Sequence, residues 1–307
     1  MKGILRAVSV VLVFAFAGLV WTCAPDQPTG PAHSPDFLRI RSATDTVLFI
    51  GAGDIAGCPS GYKDEATAAL LAKFPTALVF AAGDLAYENG SKADFACYNA
   101  SWGRAKTRTY PVPGNRDYNT LDARGYFDYW NGAGVDSGRA GRRSRGYYAF
   151  DYGAWRIYAL NSELNLSAQT AWLKADLAAN PRRCQLAFTH RPYYSSARLG
   201  TVPRYKPWWE AMLGGKVELV ISGDNHVYER FAPQDALSDE IDNGVRQFLV
   251  GTGGAGLGRT PVPIDNSEKI VNTYGVLRLK LYPLKYSFQF LPANGGPSLD
   301  SGERTCR

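Results

Sequence analysis

Ala77-Leu78-Val79-Phe80-Ala81-Ala82-Gly83-Asp84-Leu85-Ala86-Tyr87 passes from an unbroken apolar run straight into a Gly-Asp pair. Such a run, rich in residue types that fill a sheet buried on both faces, predicts a strand, and the glycine predicts the turn that ends it. Asp84 then stands at the strand's C-terminal end. The same pattern recurs along the chain. Val47-Leu48-Phe49-Ile50 leads to Gly53-Asp54, and Gln185-Leu186-Ala187-Phe188 leads to Thr189-His190-Arg191-Pro192. Val217-Glu218-Leu219-Val220-Ile221 leads to Gly223-Asp224-Asn225-His226, and Pro111-Val112-Pro113 precedes Gly114-Asn115-Arg116-Asp117. Open α/β sheets bind ligands at the carboxyl ends of their strands, so five loops from one edge can converge on one site.

Between these strands, residues 64–73, 166–178 and 204–213 carry helix-like apolar spacing. Residues 147–150, 155–160, 245–250, 274–281 and 286–291 read as further strands, several of them alternating and therefore half exposed. Alternation of the two element types predicts an α/β fold, a two-sheet β-sandwich flanked by helices. No repeat of 20–50 residues is visible.

The 307 residues suffice for one large domain, expected over 44–307. Residues 1–22 have a basic start at Lys2 and Arg6 and an apolar stretch from Ala7 to Trp21, short for a membrane span and suited to a secretory signal. Cys23 follows where a lipidated cysteine would stand, and cleavage near Ala15-Phe16-Ala17 is the alternative. Residues 23–43, with Pro25, Pro28, Pro31 and Pro35, read as a flexible linker in which His33 is inert. The product is expected to be exported, periplasmic or at the cell surface, and attached to a membrane only through its N-terminal lipid.

Setting Cys23 aside leaves Cys58, Cys97, Cys184 and Cys306, an even number that predicts two disulfides in an exported protein. Three pairings are open. We favour Cys58–Cys97, which would staple two loops of the site, and Cys184–Cys306, which would tie down the C-terminal tail. The charge is +6, from 34 Lys+Arg against 28 Asp+Glu. That excess suits an anionic small molecule and demands no nucleic acid. The cluster Arg139, Arg142, Arg143 and Arg145 reads as a solvated loop.

Asp54, Asp84, Asn115, His190 and His226 are residue types that bind hard or borderline divalent metals, and Tyr87 adds a phenolic oxygen. With Gly83-Asp84-Leu85-Ala86-Tyr87, Gly114-Asn115, Thr189-His190-Arg191-Pro192-Tyr193-Tyr194-Ser195-Ser196, His226-Val227-Tyr228-Glu229-Arg230 and Gln247–Gly254, the chain resembles the calcineurin-like metallophosphoesterases. Within them it is similar to the purple-acid-phosphatase-like branch of secreted bacterial phosphatases. The resemblance runs from about Val47 to Cys306 and implies that fold and two metal ions, divalent or mixed-valence, drawn from Fe, Mn, Zn and Mg. By it, Asp54, Asp84, Tyr87 and His226 hold the first metal, and Asp84 bridges to a second held by Asn115 and His190. Tyr87 has an alternative as a hydrogen-bonding neighbour of the metal. The implied reaction is hydrolysis of a phosphate monoester by a metal-activated hydroxide at the binuclear centre.

Three positions depart from the family pattern. Arg116 stands where a histidine binds phosphate and assists the leaving group. An arginine forks well onto phosphate but cannot surrender a proton at useful rates. Asp224 replaces a histidine ligand of the second metal and shifts that site toward oxygen coordination and harder ions such as Mg²⁺, Mn²⁺ or Ca²⁺. Leu199 stands where related sequences often carry another histidine. All three remove imidazole, so the alternative reading is a catalytically weak or inactive relative that binds phosphorylated ligands at the cell surface.

Other patterns carry less. Gly251-Thr252-Gly253-Gly254-Ala255-Gly256 satisfies a dinucleotide-binding spacing, yet the Pro261 and Pro263 that follow forbid the helix such a loop must open, so a turn near the metal site is expected. No G-x-S-x-G elbow exists for a serine nucleophile. Ser195 and Ser196 are expected to make loop hydrogen bonds, Glu229 and Arg230 to form an ion pair beneath the site, and the tryptophans to pack.

Overall fold

The computed structural model describes residues 45–197 and 200–307. The expectations for the signal segment, Cys23, the linker with His33, and Leu199 concern residues outside these.

Two sheets face each other. The first has the strand order Asp300–Thr305, Lys285–Pro292, Gly275–Leu281, Val47–Ala52, Leu78–Ala82 and Thr109–Val112. The second runs Ser267–Val271, Tyr228–Phe231, Arg246–Val250, Leu219–Ser222, Cys184–Phe188, Trp155–Ala159 and Tyr148–Tyr152. Three neighbouring strands of the first sheet are parallel, as are four of the second. Their hydrophobic residues follow the two-residue period of a strand. Ile157, Leu186, Phe188, Leu219, Ile221, Phe248 and Val250 face the core between the sheets, while Tyr158, Ala187, Val220 and Leu249 face a second core on the outer side. That outer core is closed by Leu173 and Leu177 of the helix Leu166–Ala179 and by Trp208, Trp209 and Met212 of the helix Lys206–Gly214. The helix Asp64–Ala72 lies against the first sheet and buries Ala68, Leu70 and Leu71 there.

Phe49 and Phe80 of the first sheet meet Phe188 of the second at centroid distances of 5.9 and 6.3 Å. Burying each such ring contributes roughly 1.5–3 kcal/mol, which holds the two strand edges in register. Two of the sheets' central parallel groups thus end side by side, and every predicted motif follows one of these ends.

Both favoured disulfides are present. Cys58–Cys97 joins the loop after Asp54 to the helix Lys92–Ala100, and Cys184–Cys306 joins the start of a central strand to the chain's last residues. With the partners separated by 39 and 122 positions in sequence, loop-closure entropy gives each about 4–5 kcal/mol of stabilisation. Two disulfides are compatible with an exported protein. Among the described residues no helix is long and apolar enough to cross a membrane.

Two local expectations are corrected. Glu229 and Arg230 do not pair with each other, because adjacent residues on the strand Tyr228–Phe231 point to opposite faces. Arg230 instead binds Asp300 at 2.7 Å and also Glu268, while Glu229 accepts from Ser196 and Ser267. The arginine cluster is only partly solvated. Arg143 binds Asp128 at 2.6 Å and the carbonyls of Val135 and Gly132, and Arg139 lies over the Tyr110 ring, so both arginines fasten their loop to the domain.

Candidate metal centre

Each Gly-Asp motif turns sharply where its strand stops. Asp54, Asp84 and Asp224 all occupy the left-handed region, with φ of 58°, 49° and 67°. This conformation costs an L-residue roughly 1–2 kcal/mol and is easiest for aspartate, whose short side chain can bond locally. The turn swings each carboxylate back across the sheet edge. Glycine is needed where loops then close in: a Cβ on Gly114 would lie 2.3 Å from Asp84 Oδ1, and one on Gly251 would lie 2.8 Å from Asp54 Oδ2. The Gly251–Gly256 segment is therefore a turn wrapped on the site, with Gly253 N donating to Gly53 O and Ala255 N to Asp54 O.

Four side chains meet at one point. The Tyr87 hydroxyl lies 2.9 Å from Asp54 Oδ1, 3.1 Å from Asp84 Oδ2 and 3.2 Å from His226 Nε2, which is itself 3.2 Å from Asp54 Oδ1. Beside it, His190 Nε2 lies 3.4 Å from Asp84 Oδ1, 3.2 Å from Asn115 Oδ1 and 3.4 Å from Asp224 Oδ1. Asp84 thus turns one oxygen to each group. Asp54, Asp84, His190 and Tyr87 are buried, while His226, Asn115 and Asp224 are partly buried.

The histidines are oriented by backbone. His190 Nδ1 contacts the Ala82 carbonyl at 3.0 Å and His226 Nδ1 contacts that of Gly256. Each Nδ1 donates to a carbonyl and each Nε2 faces the carboxylates, the orientation in which Nε2, once it gives up its proton, can ligate a metal.

Charge in the pocket is unbalanced. Burial, reinforced by Asp54, pushes the Asp84 carboxyl up to about 6 despite the neighbouring His190. Asp117 is pushed up to about 8 by burial and by Asp84, while it accepts from Gly114 N at 2.9 Å and Leu85 N at 3.2 Å and so locks two motif loops together. Burial opposes a proton on His226, yet Asp54 outweighs it and lifts the imidazole to about 9. Asp224 Oδ2 is buried with no hydrogen-bond partner. A cluster of buried carboxylates that raises its neighbours' proton affinity, with one oxygen orphaned, fits cations. Its donor set is oxygen and imidazole, and every cysteine among the described residues is in a disulfide, which suits hard or borderline metals.

Residue by residue, all the predicted donors are brought together: Asp54, Asp84, Tyr87, Asn115, His190, Asp224 and His226. Arg116 is at the rim. Its backbone N–H donates to Asp84 Oδ1 at 2.7 Å, and its half-exposed guanidinium lies 5.6 Å over the Tyr87 ring and 3.9 Å from Glu88. Two residues without an assigned role join the site. Arg191 donates from Nη2 to Asn115 Oδ1 at 3.0 Å and lies 3.4 Å from Asp224 Oδ1 through Nη1, while its Nε is held by Glu163 at 2.9 Å. Glu163 follows the strand Trp155–Ala159 at the same edge as every motif, which is the signal that could have found it.

These features have counterparts among known proteins. No curated protein matches the sequence. Among solved structures, a purple acid phosphatase from yellow lupin (Lupinus luteus) seeds superposes with a TM-score of 0.73 at 18% identity, covering 86% of this chain and 55% of its own. The chain thus spans about half the length of that relative. GAP50, the anchor in the inner membrane complex of Plasmodium, gives 0.66 at 14% identity, with 85% and 89% covered. A dimetal phosphatase from Danio rerio gives 0.63 at 12%, with 85% and 99% covered. At these identities the likeness establishes the fold. The model of the calcineurin-like phosphoesterase family matches residues 40–228, well over half of the chain and including every motif donor; the chain belongs to that family.

Proposed function

We propose that the chain is a metal-dependent phosphoesterase that hydrolyses phosphate monoesters at a binuclear centre. The observation that carries this reading is the Asp84 carboxylate, whose Oδ2 faces Tyr87 and whose Oδ1 faces His190. A carboxylate presenting one oxygen to each of two donor sets suits a shared ligand. Asp54, Asp84, Tyr87 and His226 would hold one cation, and Asp84, Asn115, His190 and Asp224 the other. When bound, the cations supply Lewis acidity toward the phosphoryl oxygens and a hydroxide nucleophile near neutral pH.

The remaining chemistry belongs to the side chains. Arg116 reaches over Tyr87 at the open rim and can fork two N–H groups onto a phosphoryl oxygen pair. It orients the ester and compensates its charge, but it keeps its proton. The leaving group therefore departs as its anion or takes a proton from water, which favours acidic alcohols such as phenols. Glu88, anchored by the Tyr62 hydroxyl at 2.7 Å, limits where Arg116 can swing.

The disulfides and the leader-like residues 1–22 support an exported protein, with Cys23 as the site of lipid attachment and 44–307 as the catalytic domain. The test is metal analysis with hydrolysis of p-nitrophenyl phosphate and its bis-ester, supplying Mn²⁺, Mg²⁺, Zn²⁺ and Fe in turn. Metal-dependent turnover faster on the monoester is expected. No turnover under any metal would sink the reading and leave a binding role for the same cleft.

A further inference from the structure

Arg191 has no part in the reading above, yet it touches two of the oxygens assigned to the second cation. Asn115 Oδ1 and Asp224 Oδ1, which face His190 Nε2, are the same atoms that its Nη2 and Nη1 approach at 3.0 and 3.4 Å. The guanidinium cannot move away freely. Glu163 grips its Nε at 2.9 and 3.2 Å, Ser162 Oγ accepts from the Arg191 backbone N–H at 3.2 Å, and Ser162 Oγ also donates to Glu163 at 2.9 Å. Both Glu163 and Asp224 have little solvent contact. Among the described residues, no guanidinium nitrogen bonds the Asp54 and Tyr87 oxygens of the other half, whose contacts are with each other, Asp84 and His226. Arg116 contacts that half only through the Tyr87 ring, while its backbone N–H donates to the Asp84 oxygen that faces His190.

We propose that Arg191 is a positioning residue that makes the two metal positions unequal: it neutralises Asp224 in advance and holds the second cation's affinity well below the first. The inference rests on the binuclear reading and deepens it. A fixed unit charge at the second position draws on the same oxygen lone pairs as an incoming divalent ion and repels it at short range in a buried site. Its two hydrogen bonds also orient Asn115 and Asp224, which favours ligation. Repulsion between a double and a single charge a few ångströms apart outweighs what two hydrogen bonds contribute by orienting their acceptors. One cation should therefore bind tightly and a second only at higher concentration.

The test is equilibrium dialysis of the purified mature chain against Mn²⁺ and, separately, Zn²⁺, with elemental analysis of bound metal. Arg191→Gln is expected to tighten the second equivalent at least about tenfold while moving the first less than threefold, and Arg191→Lys, which keeps the charge, should retain the weak second equivalent. Because Arg191→Gln strands Glu163, the paired variant Glu163→Gln with Arg191→Gln is the second arm, with the same tightening expected and thermal unfolding used to confirm folding. A second equivalent that is unchanged or weaker in the folded neutral variants overturns the proposal and leaves the binuclear reading standing. Absence of any bound metal in every arm, the unsubstituted chain included, overturns both.

Discussion

The two halves of the site share Asp84 but are built differently. Around Tyr87, four side chains contact one another directly, with no guanidinium nitrogen among them. Around His190, two donor oxygens are already engaged by Arg191, and Asp224 adds a carboxylate whose outer oxygen lacks a partner. In the binuclear reading we propose, the first half would wait for a cation, and the Arg191 charge at the second would leave the same fold edge with one strong and one adjustable position.

Removing the shared carboxylate should abolish the comparison altogether. Asp84→Asn leaves both halves without their common oxygen anion, and kcat/KM on p-nitrophenyl phosphate should fall at least about 10³-fold, roughly 4 kcal/mol of transition-state stabilisation. Elemental analysis should show metal lost from both positions. Retention of two equivalents at full affinity would mean that Asp84 does not bridge.

Next in size is the proton. Arg116→His restores a group that can give a proton to a departing alkoxide, and general acid assistance is worth about 10²–10⁴-fold where it is needed. With the buried, carboxylate-rich surroundings already fixed, we expect a gain of about tenfold on alkyl phosphates and little change on p-nitrophenyl phosphate, measured as kcat for each. Equal effects on both esters would show that Arg116 acts through charge alone.

How much of this was legible depended on whether a residue's role is local. The strands that end in Asp54, Asp84, His190 and Asp224 announce themselves, because a strand buried on both faces must be a continuous apolar run. The helix Lys92–Ala100 does not, since only Phe95 and Tyr98 are buried in it and its start is signalled by the Ser91 and Asp94 capping box rather than by periodicity. The edge strands Ser267–Val271 and Asp300–Thr305 escape for the opposite reason, being polar and largely exposed where pairing is needed on one side only. Arg191 sits inside the Thr189–Ser196 motif, but its contacts are with Glu163 and Asp224, 28 and 33 residues away. No spacing rule connects those three.

Asp224 offers a finer way to sharpen the contrast. Asp224→His exchanges an oxygen donor for imidazole and leaves Arg191 without its carboxylate, so the second position should turn from Mg²⁺ and Mn²⁺ toward Zn²⁺. A shift of about tenfold in the ratio of Zn²⁺ to Mn²⁺ affinity is expected, confined to the second equivalent, as judged by competition dialysis. An unchanged ratio would mean that Asp224 Oδ1 is not a ligand.

The smallest effect on the site should come from the most stabilising covalent link. Cys184 begins the strand whose far end delivers His190, and a strand rises about 3.3 Å per residue, so the Cys184–Cys306 bridge sits roughly 20 Å from the imidazole. Replacing both cysteines by serine should lower unfolding stability by about 2–5 kcal/mol through the freed 122-residue loop. His190 keeps its bond to Ala82 O and its strand keeps parallel neighbours on both sides, so kcat and both metal affinities should stay within about twofold below the melting transition. The same exchange at Cys58 and Cys97 frees the loop that follows Asp54 and the helix that follows Tyr87, and there the first metal equivalent should weaken by about threefold to tenfold. If the two exchanges disturb metal binding equally, the site is not held by its sheet edge, and the difference between its halves lies elsewhere than in the loops that carry them.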